Sequence, residues 1–173
     1  MIGLRSLLRC SLGSAAVEMA LVTPLLLTIG FGSAELGNYF YNEHVLSKAV
    51  RDGARYAARQ GFSNYDCTGS PGGTIVDDTR RLVMTSLLSG GSNQLPYWNA
   101  TTISVTERCA ATATDDSNVV SNMGGIYDGR ASGAPIVTVS ATVPYTPIIG
   151  TAFGFSGRGL DLYASQEAAV AGI

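Results

Sequence analysis

The chain has 173 residues, with 11 Lys and Arg against 13 Asp and Glu, for a net charge of −2. No basic run stands out, which argues against nucleic acid as a partner. Apolar residues make up 46% and charged ones only 14%. That balance suits a chain partly in lipid or packed against copies of itself, with room for one modest domain and a membrane helix.

Met1 to Gly13 reads as a short basic leader carrying Arg5 and Arg9, too short to cross a membrane. From Gly13-Ser14-Ala15-Ala16-Val17-Glu18 the chain turns apolar and stays uncharged from Met19 to Ala34. The pattern continues at helical spacing through Leu36, Phe40, Leu46 and Val50 to Gly61. The reading is one long helix over Ser14–Gln60, about 70 Å at ~1.5 Å per residue. A hydrocarbon core is about 30 Å thick, so half of such a helix stands clear of the bilayer. Arg5 and Arg9 place the N-terminus in the cytosol and the remainder outside.

Three readings of the start remain open: a prepilin-type leader cut after Gly13, a secretory signal cut after Ala34, or an uncleaved anchor. The apolar spacing beyond Ala34 speaks against the second. Glu18 is the sharpest residue. A carboxylate at the start of a spanning helix is costly in lipid, about 2.5–3.5 kcal/mol at the midplane. It is also favoured by the helix dipole, so it is either a well-placed interfacial charge or one waiting for a cation on a neighbouring subunit. Small residues recur four apart at Ala16/Ala20, Gly30/Ala34 and Ser33/Gly37, spacing that lets helices approach closely. Pro24 is expected to kink the span. Glu35 is expected to bracket the lipid layer with Glu18, and Tyr39, Phe40 and Tyr41 to form an aromatic belt. Ala49, Gly53 and Ala57 make a small-residue face that would pack on the head's sheet or on a partner helix. Arg51, Arg55 and Arg59 make a solvated stripe.

Beyond Gly61, Phe62 to Thr74 reads as a loop with a turn at Pro71-Gly72-Gly73. A second helix is expected over Asp77–Leu88, capped by Thr74 and stopped by Gly90-Gly91. Ile103 and Val105 alternate with Thr102, Ser104 and Thr106 in a strand over 101–108. Ala110 to Ser132 reads as a long exposed loop. Pro135 to Thr146 is the clearest strand, with Pro144 and Pro147 placing it at an edge or ending it. Ile148, Ile149, Phe153 and Phe155 lie in an apolar linker expected to pack under the sheet. A last strand covers Leu160–Val170. The fold class is α+β: a long N-terminal helix, a short second helix and a small antiparallel sheet of about three or four strands on the helical extension. The expected divisions are a leader at 1–13, a membrane helix at 14–37, its extension at 38–61 and a head at 62–173.

Cys10 lies in the leader, which leaves Cys67 and Cys109 as an even pair outside. A Cys67–Cys109 disulfide in an oxidising periplasm is expected, against the alternative of two free buried thiols. His44 is the one histidine, with no second ligand near it in sequence, and is read as solvated or interfacial. No Cys-x-x-Cys or His-x-x-x-His spacing suggests a metal, no nucleophile–histidine set can be assembled, and no Gly-rich turn joins a strand to a helix. Asp77-Asp78 and Asp115-Asp116 read as a helix start and a solvated loop. No catalysis and no cofactor are expected. Asn99-Ala100-Thr101 matches a glycosylation acceptor and is given no role.

The pieces Gly13-Ser14-Ala15-Ala16-Val17-Glu18, Ala20-Leu21-Val22-Thr23-Pro24-Leu25-Leu26-Leu27 and Ala49-Val50-Arg51-Asp52-Gly53-Ala54-Arg55-Tyr56-Ala57-Ala58 resemble the N-terminus of the TadE-like family, pseudopilins (minor pilins) of tight-adherence (Tad/Flp) type IV pilus systems. The resemblance covers roughly the first third of the chain. Met19 departs from it, since an aromatic commonly follows the glutamate in the family. The resemblance implies cleavage between Gly13 and Ser14 by a prepilin peptidase, with Glu18 meeting the freed Ser14 amine of a neighbour. It implies helix packing between subunits through Glu18, Ala49, Gly53 and Ala57. The expected partners are other pilins, an inner-membrane assembly platform and the lipid bilayer. The place is the bacterial inner membrane with the head periplasmic, and the tasks are pilus assembly, adhesion and secretion. The competing expectation is an uncleaved single-span protein whose head binds or scaffolds.

Overall fold

The structure is a computed structural model describing residues 12–96, 98–99, 102–110, 112–114, 120–122, 124–150 and 160–172. Helix α1 runs over Leu12–Ala58 and α2 over Ile75–Thr85. The strands are β1 (Ile103–Ala110), β2 (Thr112–Thr114), β3 (Val120–Asn122), β4 (Ala134–Pro144) and β5 (Asp161–Ala169). An antiparallel sheet of order β1-β4-β5 packs on the second half of α1, and β2 pairs with β3 alone. The α+β architecture read from the sequence is the observed one.

The second half of α1 is a helix because one face of it can be buried. Leu46, Ala49, Val50, Ala54, Ala57 and Ala58 are buried, at the three- and four-residue spacing of a single helical stripe. Above them lie Val137, Val139, Ala141 and Val143 of β4, which alternate with half-exposed neighbours. Ile103, Val105 and Leu162 complete the layer from the flanking strands. The register pairs Val105 with Val139 and Val143 with Leu162.

The end of α1 is closed by residues distant in sequence. A helix leaves its last carbonyls without intrahelical donors. Here the Ala58 carbonyl accepts the Ala171 N–H at 2.8 Å, and the Ala57 carbonyl accepts the Tyr65 hydroxyl. Gly61, where the apolar pattern closes, adopts an ordinary extended conformation (φ −60°). The last turn is also closed locally, with the N–H groups of Arg59 and Gln60 on the Tyr56 and Ala57 carbonyls at 3.2 and 3.1 Å.

Other expectations need correction. Helix α2 ends at Thr85, because Ser86 turns left-handed (φ 60°) with its N–H on the Leu82 carbonyl. It therefore falls short of Leu88 and of the Gly90-Gly91 signal. Thr74 flanks α2, but its hydroxyl donates to the Asp78 carboxylate at 2.8 Å and makes no bond to the helix backbone. Strand β4 is central, and its prolines lie at its ends. The stretch read as a loose loop from Ala110 contains the β2–β3 pair and a 3-10 turn at Gly125–Tyr127. The leader up to residue 11, with Cys10, lies outside the described residues, as do Asp115-Asp116, Ala100-Thr101, Phe153 and Phe155.

Candidate membrane-proximal assembly site

From Ala15 to Ala34 the side chains of α1 are exposed, including Val17, Leu21, Leu25, Leu26 and Ile29. The helix is long and apolar enough to cross a membrane. An apolar surface of this extent is stable in lipid and unstable in water. Its hydroxyl side chains bond back to the helix's own backbone. The hydroxyls of Thr23, Thr28 and Ser33 donate to the carbonyls of Met19, Pro24 and Ile29 at 2.6, 2.8 and 2.7 Å. That pattern satisfies the hydroxyls where no water would. Nothing lies within 4 Å of a Cβ built on Gly30, Gly32 or Gly37, so the helix is uncovered at these positions. Glu18 is exposed within it. Gly13 and Ser14 lie in the first turns of α1, just ahead of the span.

Glu35 is tied to the head. Its carboxylate accepts the Tyr145 hydroxyl and the backbone N–H groups of Ile148 and Ile149, the latter two at 3.2 and 2.8 Å. Tyr145 also accepts from Asn38 Nδ2 at 3.0 Å and stands edge-on to Tyr39, with ring centroids 5.2 Å apart. Burial, then the hydrogen bond to Glu35, pushes the Tyr145 phenol up from its ordinary range. The linker after β4 therefore lies against the helix at the foot of the head, and Ile148 is exposed. The expectation that it packs under the sheet fails for its described part. Only Tyr39 of the aromatic triplet packs inward; Phe40 and Tyr41 stay exposed.

The small-residue face is occupied by the chain's own head. Ala49, Gly53 and Ala57 are all buried. A Cβ on Gly53 would run into Val83 Cγ2 of α2, with the Thr79 methyl at 3.4 Å and Val139 Cγ1 at 3.8 Å. These three residues are inside one subunit, so the expected packing between subunits through them is corrected. Of that set only Glu18 lies on exposed surface. Arg51, Arg55 and Arg59 are exposed, as is His44.

At the far end, Cys67 and Cys109 are joined in a disulfide with Cα atoms 5.6 Å apart. It ties the loop after α1 to β1. Beside it lies a feature missed in the sequence. Continuing the alternation of Ile103 and Val105 places Glu107 on the buried face, and it is only 6% exposed. Burial, then a hydrogen bond to Asp66, raises its carboxyl above the usual range. Hydrogen bonds from Thr68 hold Asp66 below that range, and the Thr68 N–H also donates to Glu107 Oε1 at 3.1 Å. Burial, followed by the Glu107 charge, pushes Tyr65 up to about 12. The sequence-predicted residues thus fall in three separate places: the start of the span, the helix–head contact, and the disulfide. Among the described residues no cluster of His, Cys, Asp and Glu is suited to a metal.

No curated protein and no solved structure matches the chain. A family model does. Residues 13–55, from the glycine ahead of the span into the helix–head contact, match the TadE-like protein family, the family that the N-terminal motifs resemble.

Proposed function

We propose that the chain is a pilin-like subunit of a tight-adherence pilus, held in the bacterial inner membrane by 14–37 with 38–61 and the head, 62–173, in the periplasm. A prepilin peptidase removes 1–13, and the freed Ser14 amine meets Glu18 of an adjacent subunit. The exposed apolar half of α1, with its small residues, packs among other pilins on an assembly platform in the membrane. The role is structural: assembly, priming or capping of the fibre. The observation carrying this reading is the family match at 13–55 on a helix whose first half is wholly exposed. A carboxylate within a lipid-facing run is costly and favours a nearby cation, and the amine made by cleavage supplies one.

The experiment is mass spectrometry of the N-terminus of the native protein recovered from membranes. Ser14 as first residue is expected. Met1 retained would refute processing and favour an anchored scaffold. Glu18→Gln should leave membrane insertion intact while assembly is lost; unimpaired piliation would refute the pairing.

A further inference from the structure

The polypeptide at the foot of the head is placed where water should be scarce. Glu35 ends an uncharged run that begins after Glu18, a distance of about 25 Å along a helix at ~1.5 Å per residue. A hydrocarbon layer about 30 Å thick uses all of that length, which puts Glu35 at the lipid boundary. Ile149 and Gly150 form one wall of a groove along α1. Leu27, Phe31, Gly32 and Glu35 contribute to its other side, so the linker reaches helix positions within the apolar run. Ile148 is 65% exposed at the same level. The Glu35 carboxylate holds this segment by two backbone N–H groups and a phenol. Those donors also replace the water that a carboxylate loses at the boundary.

We infer that the Ile148–Ile149 segment is a second membrane contact, clamped by Glu35 so that it dips into the outer leaflet beside the helix and fixes the head's height on the bilayer. The occupant of the groove is lipid. The groove is continuous with the exposed apolar face of α1, and two adjacent isoleucines add apolar area of the kind that interfacial segments bury. This rests on the membrane reading of α1 proposed above.

The test uses the full chain in phosphatidylethanolamine–phosphatidylglycerol vesicles, with Cys10→Ser leaving the disulfide cysteines bonded. A nitroxide is placed singly at Ile148→Cys, at Leu26→Cys in mid-span and at Ser63→Cys at the far end of the head. Collision with oxygen and with a water-soluble nickel chelate is measured. The Ile148 label is expected to be oxygen-rich and nickel-poor, about 5–10 Å below the headgroup surface. Adding Glu35→Ala should raise its exposure to nickel. An Ile148 label as open to nickel as Ser63, with Leu26 buried in lipid, would overturn the inference and leave the span intact. A Leu26 label open to nickel would overturn the span itself. An Ile148 label shielded from both reagents would overturn the lipid contact in favour of a second protein copy.

Discussion

Gly53 offers the sharpest quantitative test of how the head sits on the helix. A glycine inside an exposed helix costs about 1 kcal/mol relative to alanine, so Gly53→Ala in an open setting would stabilise. Here the new methyl meets Val83 Cγ2, a branched side chain on the rigid backbone of α2. Val83 is completely buried, and the Thr79 methyl and Val139 Cγ1 close the other sides, so it has little room to turn. Overpacking of this kind costs about 1–3 kcal/mol. With the helical gain subtracted, Gly53→Ala should lower stability by about 0–2 kcal/mol, a fall in Tm of up to several degrees in a chain of this size. Val83→Ala alone removes two methyl groups and opens a cavity, a loss of about 2 kcal/mol. Combined, each change relieves the other, so the double variant should be more stable than the sum of the single effects. Thermal unfolding of the four proteins in one detergent, followed by circular dichroism, measures the cycle. A Gly53→Ala protein more stable than the parent, or strictly additive effects, would refute the close helix–helix contact.

Replacing Cys67 and Cys109 with serine opens a sequence separation of 42 residues. The chain-entropy relation gives a loss of about 4 kcal/mol, checked by urea unfolding with and without reductant; unchanged midpoints would contradict it. Glu107→Gln tests the buried acid. The folded-state pKa of Glu107 lies above its ordinary 4.5. Its favourable contribution is therefore complete below that value and is lost as pH rises through the folded pKa. The variant should be more stable than the parent at neutral pH, with the gap closing toward pH 4.5. A gap independent of pH would exclude the burial effect. Tyr145→Phe removes the phenol donor to Glu35 and should cost about 1–2 kcal/mol. Amide exchange at Ile148 and Ile149 should speed up with it, and unchanged protection there would count against the clamp.

The long helix was legible because its pattern is local: an uncharged run, then a stripe of small and apolar residues at helical spacing. The strands could be read from alternation at Ile103–Thr106 and Ile136–Val143. The order of the strands could not, because proline at the end of a central strand and proline at an edge leave the same mark in sequence. The role of Ala49, Gly53 and Ala57 was ambiguous for a similar reason. A small-residue face announces close approach without saying whether the approaching surface belongs to the same chain. Glu35 was unreadable, since backbone amides more than a hundred residues away leave no signature. Glu107 was readable and overlooked: extending the alternation by one step puts it inside.

The two ends of the helical extension are fastened to one β-hairpin. Below, Glu35 grips the linker leaving β4; above, the Ala58 carbonyl holds Ala171, just past β5. From Glu35 to Ala58 the helix rises about 35 Å, and β4 from Pro135 to Tyr145 spans about the same length. The rod and the strand beside it are matched and pinned at top and bottom. A tensile load entering through the exposed half of the helix is therefore shared by both pins, and axial slippage of even one turn would have to break them together.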